Sequence, residues 1–125
     1  MRANPHRKGR AAELELARTL TALGYPAQQM HQRGKGGADR PDVRCEALAG
    51  FHLEVKRRRE CHLTRVARLV MWDRQARMDA GDQRVPLILH RWDGHTTWWV
   101  RVLKPGWPAI WLTLPEFLAN LRTFQ

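Results

Sequence analysis

Pro41-Asp42-Val43-Arg44-Cys45-Glu46-Ala47-Leu48-Ala49-Gly50-Phe51-His52-Leu53-Glu54-Val55-Lys56-Arg57-Arg58-Arg59 contains two alternating runs about a turn, and its reading decides the fold. From Asp42 to Ala47, Val43, Cys45 and Ala47 share one face while Asp42, Arg44 and Glu46 share the other. Ala49-Gly50 turns the chain. From Phe51 to Arg57, Phe51, Leu53 and Val55 lie opposite His52, Glu54 and Lys56. A period of two marks half-buried strands, so the stretch predicts a β-hairpin. Glu54 and Lys56 then project from one face, roughly 7 Å apart by strand rise. The hairpin would set the Asp42 carboxylate beside Glu54. Two close carboxylates repel, and a divalent cation is the usual way such a pair is stabilised. A lysine two residues on can hold a water or a developing charge beside that cation. A solvated hairpin face with a cross-strand ion pair has the same pattern, and spacing alone leaves both readings open.

Upstream, helical spacing runs from Gly9 to Leu23, and Gly24 stops it. Glu13 falls on the face of Leu16, Ala17, Leu20 and Gly24, whereas Glu15 points the other way, near Arg18 and Thr19. A carboxylate in an apolar stripe is costly unless paired or near a metal. A helix-start carboxylate favoured by the dipole is the plainer account. Residues 1–8 read as a basic arm, ahead of one domain over residues 9–125. Ala27 to Arg33 reads as a short polar strand, and Gly34 to Pro41 as a flexible basic loop.

Downstream, Leu63 to Ala80 has helical spacing, with Leu63, Val66, Ala67, Val70, Met71 and Met78 as its apolar stripe and Gln75 at its edge. Val85 to His90 reads as a buried strand, and Asp93-Gly94 as a hairpin turn into Thr97 to Leu103. Trp111 to Leu114 makes a further short strand, and Pro115 opens a last helix ending near Leu121.

A chain of 125 residues holds a single core. Its 22 basic residues against 12 acidic ones give +10, which points to a polyanionic partner. Eighteen of the 22 are arginine, whose planar fork grips phosphate bidentately. An arginine-rich proteome would explain the preference over lysine but not the net charge. No run approaches the about 18 apolar residues of a membrane span. The first residues lack the apolar centre of a signal peptide, so a soluble, cytoplasmic protein is expected. Cys45 and Cys61 form no CxxC and share no ligand spacing with His52, His62, His90 or His95, which disfavours zinc. The chain has no serine, which excludes serine-hydrolase chemistry. Its six tryptophans suit core or subunit contacts, with base stacking as the second reading.

Arg7-Lys8-Gly9-Arg10-Ala11-Ala12-Glu13-Leu14-Glu15-Leu16 resembles the opening helix of the archaeal-type Holliday junction resolvases, which include small phage-encoded members. Pro41-Asp42 and Glu54-Val55-Lys56 resemble the signature of their superfamily, the PD-(D/E)XK nucleases. The resemblance covers Arg7 to about Arg59. It implies an α/β, restriction-endonuclease-like core: a central mixed β-sheet flanked by helices, in α-β-β-β-α-β order. It further implies that Asp42 and Glu54 bind one or two Mg²⁺ or Mn²⁺ ions with the Val55 carbonyl. Glu13 would join through water, and Lys56 would orient the attacking hydroxide. Archaeal members also carry a loop serine, for which Gln29, His31, Gln32 or Arg33 would substitute here.

The implied activity is a structure-selective endonuclease that resolves four-way DNA junctions by phosphodiester hydrolysis, in the host cytoplasm if the chain is viral. Such hydrolysis needs cations on the phosphate and an activated water. Arg57, Arg58 and Arg59, with Arg33, Lys35 and Arg40 and the arm's Arg7, Lys8 and Arg10, would surround the site as phosphate-binding groups. A restriction-like or repair nuclease of the same superfamily, or a non-catalytic DNA-binding module, are the other readings. Paired cuts in a near two-fold junction call for a homodimer. The apolar strands after Val85 and the Trp98-Trp99 pair are the expected contact surface.

Overall fold

The spacing of Ala12, Leu16, Ala17 and Leu20 winds into α1 (Pro5–Ala22), which buries all four side chains. Gly24 ends it with a φ of 96°, a conformation in which any Cβ is strained. The helix begins at Pro5 rather than Gly9, so residues 5–8 of the expected arm belong to it. The computed structural model describes residues 5–30 and 43–125, with side chains from Gly9 onward. β1 (Ala27–Gln29) and β2 (Val43–Cys45) pair antiparallel as a two-stranded sheet beside α1.

The hairpin expected between residues 42–47 and 51–57 does not form. Alternation holds through Cys45, with Val43 and Cys45 buried and Arg44 exposed. A 3₁₀ turn, Glu46–Leu48, then buries Leu48 and leaves Ala47 exposed. Burying a leucine contributes roughly 1.5–3 kcal/mol. The turn delivers the chain into β3 (Phe51–Arg58). β3 pairs in parallel with β4 (Val85–Trp92), from Phe51 opposite Val85 to Arg58 opposite Trp92. β5 (Trp99–Val102) and β6 (Ile110–Thr113) add antiparallel, giving the order β3-β4-β5-β6. The sheet is mixed, as expected, but the chain's first three strands do not share it. The protein has a mixed α/β fold in which this four-stranded sheet packs against helices.

One face of the sheet carries the larger core. Phe51, Leu53, Leu87, Leu89, Val100 and Val102 meet Leu16 and Leu20 of α1 there. Phe117 of α3 (Leu114–Ala119) and Phe124 of α4 (Leu121–Phe124) close its end. Thr113-Leu114-Pro115-Glu116 starts α3 with a capping box, Glu116 Oε1 accepting the Thr113 amide at 2.8 Å.

α2 (Val66–Ala80) covers the opposite face, but not with the stripe read from spacing. Val66, Val70, Met71 and Met78 are 73%, 61%, 63% and 71% exposed, while Leu69, Trp72, Asp73, Ala76 and Ala80 are buried. The reason lies in what the sheet presents. Arg101 projects toward α2, and Asp73 accepts from it at 2.9 and 3.1 Å. Trp72 packs edge-on to His90, and the small Ala76 joins Ile88 and Leu103. Matching a polar, aromatic sheet face sets the helix's rotation.

Much of the surface expected for dimer contact is buried within the chain, although Trp99 is only half-buried. Leu87, Ile88, Leu89, Trp98, Val100 and Val102 are core residues, and β5 lies between β4 and β6. Among the described residues no helix is long and apolar enough to cross a membrane.

Candidate functional site

The alternation of β3 places His52, Glu54, Lys56 and Arg58 on the face roofed by α2. Trp72 of α2 lies under the Arg58 guanidinium, 5.5 Å from its ring centre. Two turns further along the helix, Asp79 reaches Glu54 and hydrogen-bonds it. His52 Nε2 stands 2.8 Å from Glu54 Oε1. One donor atom from each of His52, Glu54 and Asp79 lies within 4.8 Å of the other two. Gln75, one turn before Asp79, hydrogen-bonds the Asp79 carboxyl.

The charges of these groups follow from their surroundings. Burial pushes the Glu54 carboxyl up, but hydrogen bonds from His52 and Asp79 and the charge of Lys56 outweigh it and hold Glu54 below its ordinary value. Asp79 moves the opposite way, raised first by its hydrogen bond to Glu54 and then by burial and by Glu54's charge. Of the two carboxyls, Glu54 gives up its proton more readily. Lys56 is pushed down by burial, against the attraction of Glu54 and Asp79. The result is a half-buried carboxylate, a half-buried lysine and a second half-buried carboxyl beside α2.

His90 shares this face but is fully committed. Its Nε2 accepts the His62 amide at 3.0 Å, so its Nδ1 carries the proton and donates to the Lys56 carbonyl at 2.7 Å. Burial lowers its pKa to about 4.

Many of the residues expected at the site lie outside the described residues. Asp42 lies outside the described residues, as do His31, Gln32, Arg33, Lys35 and Arg40 and the side chains of Arg7 and Lys8. Glu13 is half-buried on α1, its Oε1 3.9 Å from where a Cβ on Gly9 would stand. The apolar side of α1 packs on the face of Phe51 and Leu53, while Glu54 lies on the face toward α2. Glu15 sits at the flank of α1, in an ion pair with Arg91 at 2.8 Å. Gln29 donates to the Arg10 carbonyl at 2.7 Å. Val55 is half-buried against the α1 core.

The arginine run divides by strand face. Arg57 pairs with Asp93, and Arg58 is half-buried over Trp72. Arg59 and Arg10 are exposed. Asp79 escapes a reading by hydrophobic spacing, because that reading turns the wrong stripe of the helix inward. Phased on Leu69, Trp72, Ala76 and Ala80, it falls at the edge of the buried face.

Glu54, Asp79 and His52 form a donor set suited to a divalent cation: one anion, a second carboxyl and an imidazole. No protein-family model matches the chain, and no curated protein matches it.

Proposed function

We propose that this chain is a divalent-metal-dependent endonuclease acting on branched DNA, with Glu54 and Lys56 at its centre and a restriction-endonuclease-like core. The observation that carries the reading is the pair itself. Glu54 and Lys56 stand side by side on β3, one held as an anion and the other pushed toward neutrality. Glu54 would hold the metal, and Mg²⁺ or Mn²⁺, when bound, would polarise the phosphodiester and acidify a water. Lys56 Nζ would hold that water, or the charge developing on the phosphate, in line with the leaving oxygen. The net charge of +10 supplies the attraction for DNA, and the exposed Arg59 lies three residues from Lys56.

A four-way junction is the proposed substrate, cut by a homodimer whose two sites face its two-fold axis. The test is cleavage of a labelled four-way junction against linear duplex of the same sequence, with Mg²⁺ and with chelator. Metal-dependent, paired cuts in the junction support the reading. Equal cutting of the duplex would favour a repair or restriction-like nuclease, and no cutting of either would leave a DNA-binding module.

A further inference from the structure

We infer that the cation partners of Glu54 in this chain are His52 and Asp79, a three-donor site that takes Mn²⁺ or Co²⁺ in preference to Mg²⁺ or Ca²⁺. The inference deepens the reading of Glu54 as a metal-binding carboxylate and rests on it.

Geometry comes first. Donors each about 2.1 Å from a first-row ion stand roughly 3 Å apart when adjacent and roughly 4.2 Å apart when opposite. His52 Nε2 and Glu54 Oε1, at 2.8 Å, already have the adjacent spacing. Asp79 completes a group whose donor atoms lie within 4.8 Å of one another, so a small side-chain rotation brings all three onto one ion. Packing holds them there. His52 is 4% exposed, and Asp79 is one residue from the buried Ala80.

The two buried histidines that the sheet itself presents on this face differ in one decisive respect. Both nitrogens of His90 are used, one by the His62 amide and one by the Lys56 carbonyl, so its lone pair is committed. His52 Nδ1 has no hydrogen-bond partner, so nothing on that side of the ring fixes the tautomer. Nε2 can therefore give its lone pair to a cation in place of its N–H to Glu54. The exchange leaves an Nδ1–H buried, and only a metal with real affinity for imidazole offsets that. This selects against Mg²⁺ and Ca²⁺, which prefer oxygen. Glu54, joined by Asp79 once the ion displaces its proton, supplies the negative charge the ion needs beside Lys56 and Arg58.

The experiment uses the full chain, stripped of metal and without DNA. Mn²⁺ is titrated by electron paramagnetic resonance, and the bound ion is probed for ¹⁴N coupling by pulsed methods. Wild type should bind Mn²⁺ at least tenfold more tightly than Mg²⁺ and show imidazole coupling. Asp79→Asn should weaken Mn²⁺ at least tenfold. His52→Gln, which keeps a donor to Glu54, should lose the nitrogen coupling and the preference over Mg²⁺. Glu46→Gln, the same charge change on the exposed 3₁₀ turn, should alter neither. Absent coupling in wild type, coupling that survives in His52→Gln, or wild-type affinity in Asp79→Asn would each overturn the inference. The wild-type spectrum needs no variant to fold. A chain that binds Mn²⁺ this way but cuts no DNA upholds the site and removes the nuclease reading; one that cuts DNA without nitrogen coupling does the reverse.

Discussion

His90 ties the Lys56 carbonyl to the His62 amide, so one neutral ring bridges β3 and the segment that leads into α2. An unfolded histidine takes up its proton near pH 6.5, whereas folded His90 does so only at about 4. Between those values the unfolded chain binds the extra proton, so acid favours unfolding. The stabilisation is complete above about pH 6.5, falls as pH drops toward 4 and levels off below, and amounts to on the order of 3 kcal/mol. His62, also held below its ordinary value by burial and then by nearby arginines, adds to the same slope. Urea unfolding at pH 7 and 4.5 should therefore show a smaller acid loss in His90→Gln than in wild type. Equal losses would remove His90 from this role.

Asp73 and Arg101 form a two-pronged pair between α2 and β5, each mostly shielded from water. Removing one partner strands the other's charge. Asp73→Leu and Arg101→Met should each cost about 3 kcal/mol, with the double variant well below the sum of the two. Additive losses in chemical denaturation would show that the charges are not coupled.

In Glu54→Gln, cleavage should fall below a tenth of wild type, more than about 1.4 kcal/mol on the barrier. Binding of the junction should persist or tighten, since a negative charge near phosphate is removed. Gel-shift and cleavage assays on one preparation separate the two effects. Cleavage near wild type would take Glu54 out of the chemistry.

Salt should weaken DNA binding steeply, with a log–log slope that shrinks by about 0.9 for every phosphate the protein no longer neutralises. Arg59→Ala, exposed beside the site, should lower the slope by about that much. Arg122→Ala, exposed on the short α4, should leave it unchanged. If the two variants share one slope, Arg59 does not touch the backbone.

How legible was this protein from its sequence? The face of β3 was, because the alternation of Phe51 to Arg57 is a property of the strand itself, and it put His52, Glu54 and Lys56 together correctly. The partner of β3 was not. A three-residue β2 followed by a turn that buries Leu48 looks, residue by residue, like a strand that continues into a hairpin. Nothing local announces that β3 will instead lie beside Val85–Trp92, more than thirty residues away. The rotation of α2 failed for a related reason. Hydrophobicity alone ranks Val66, Val70 and Met78 above Asp73 and Ala76. The deciding term was the Arg101 side chain waiting on the sheet, which no helical wheel contains. Asp79 was lost with that rotation, and with it a member of the candidate donor group.

β3, α2 and β4 occupy one uninterrupted stretch, residues 51–92, and the whole His52–Glu54–Asp79–Lys56 group lies inside it. Contacts within such a stretch close a single crossover, and the entropic cost of closure grows only slowly with loop length. The group's assembly therefore does not wait for α1 to dock on the other face. In refolding, amides of β3 and β4 should gain protection without waiting for those of β1 and β2, which pair with each other beside α1. Truncating a side chain in the α1 core, as in Leu16→Ala, should then speed unfolding far more than it slows the appearance of the β3–β4 ladder.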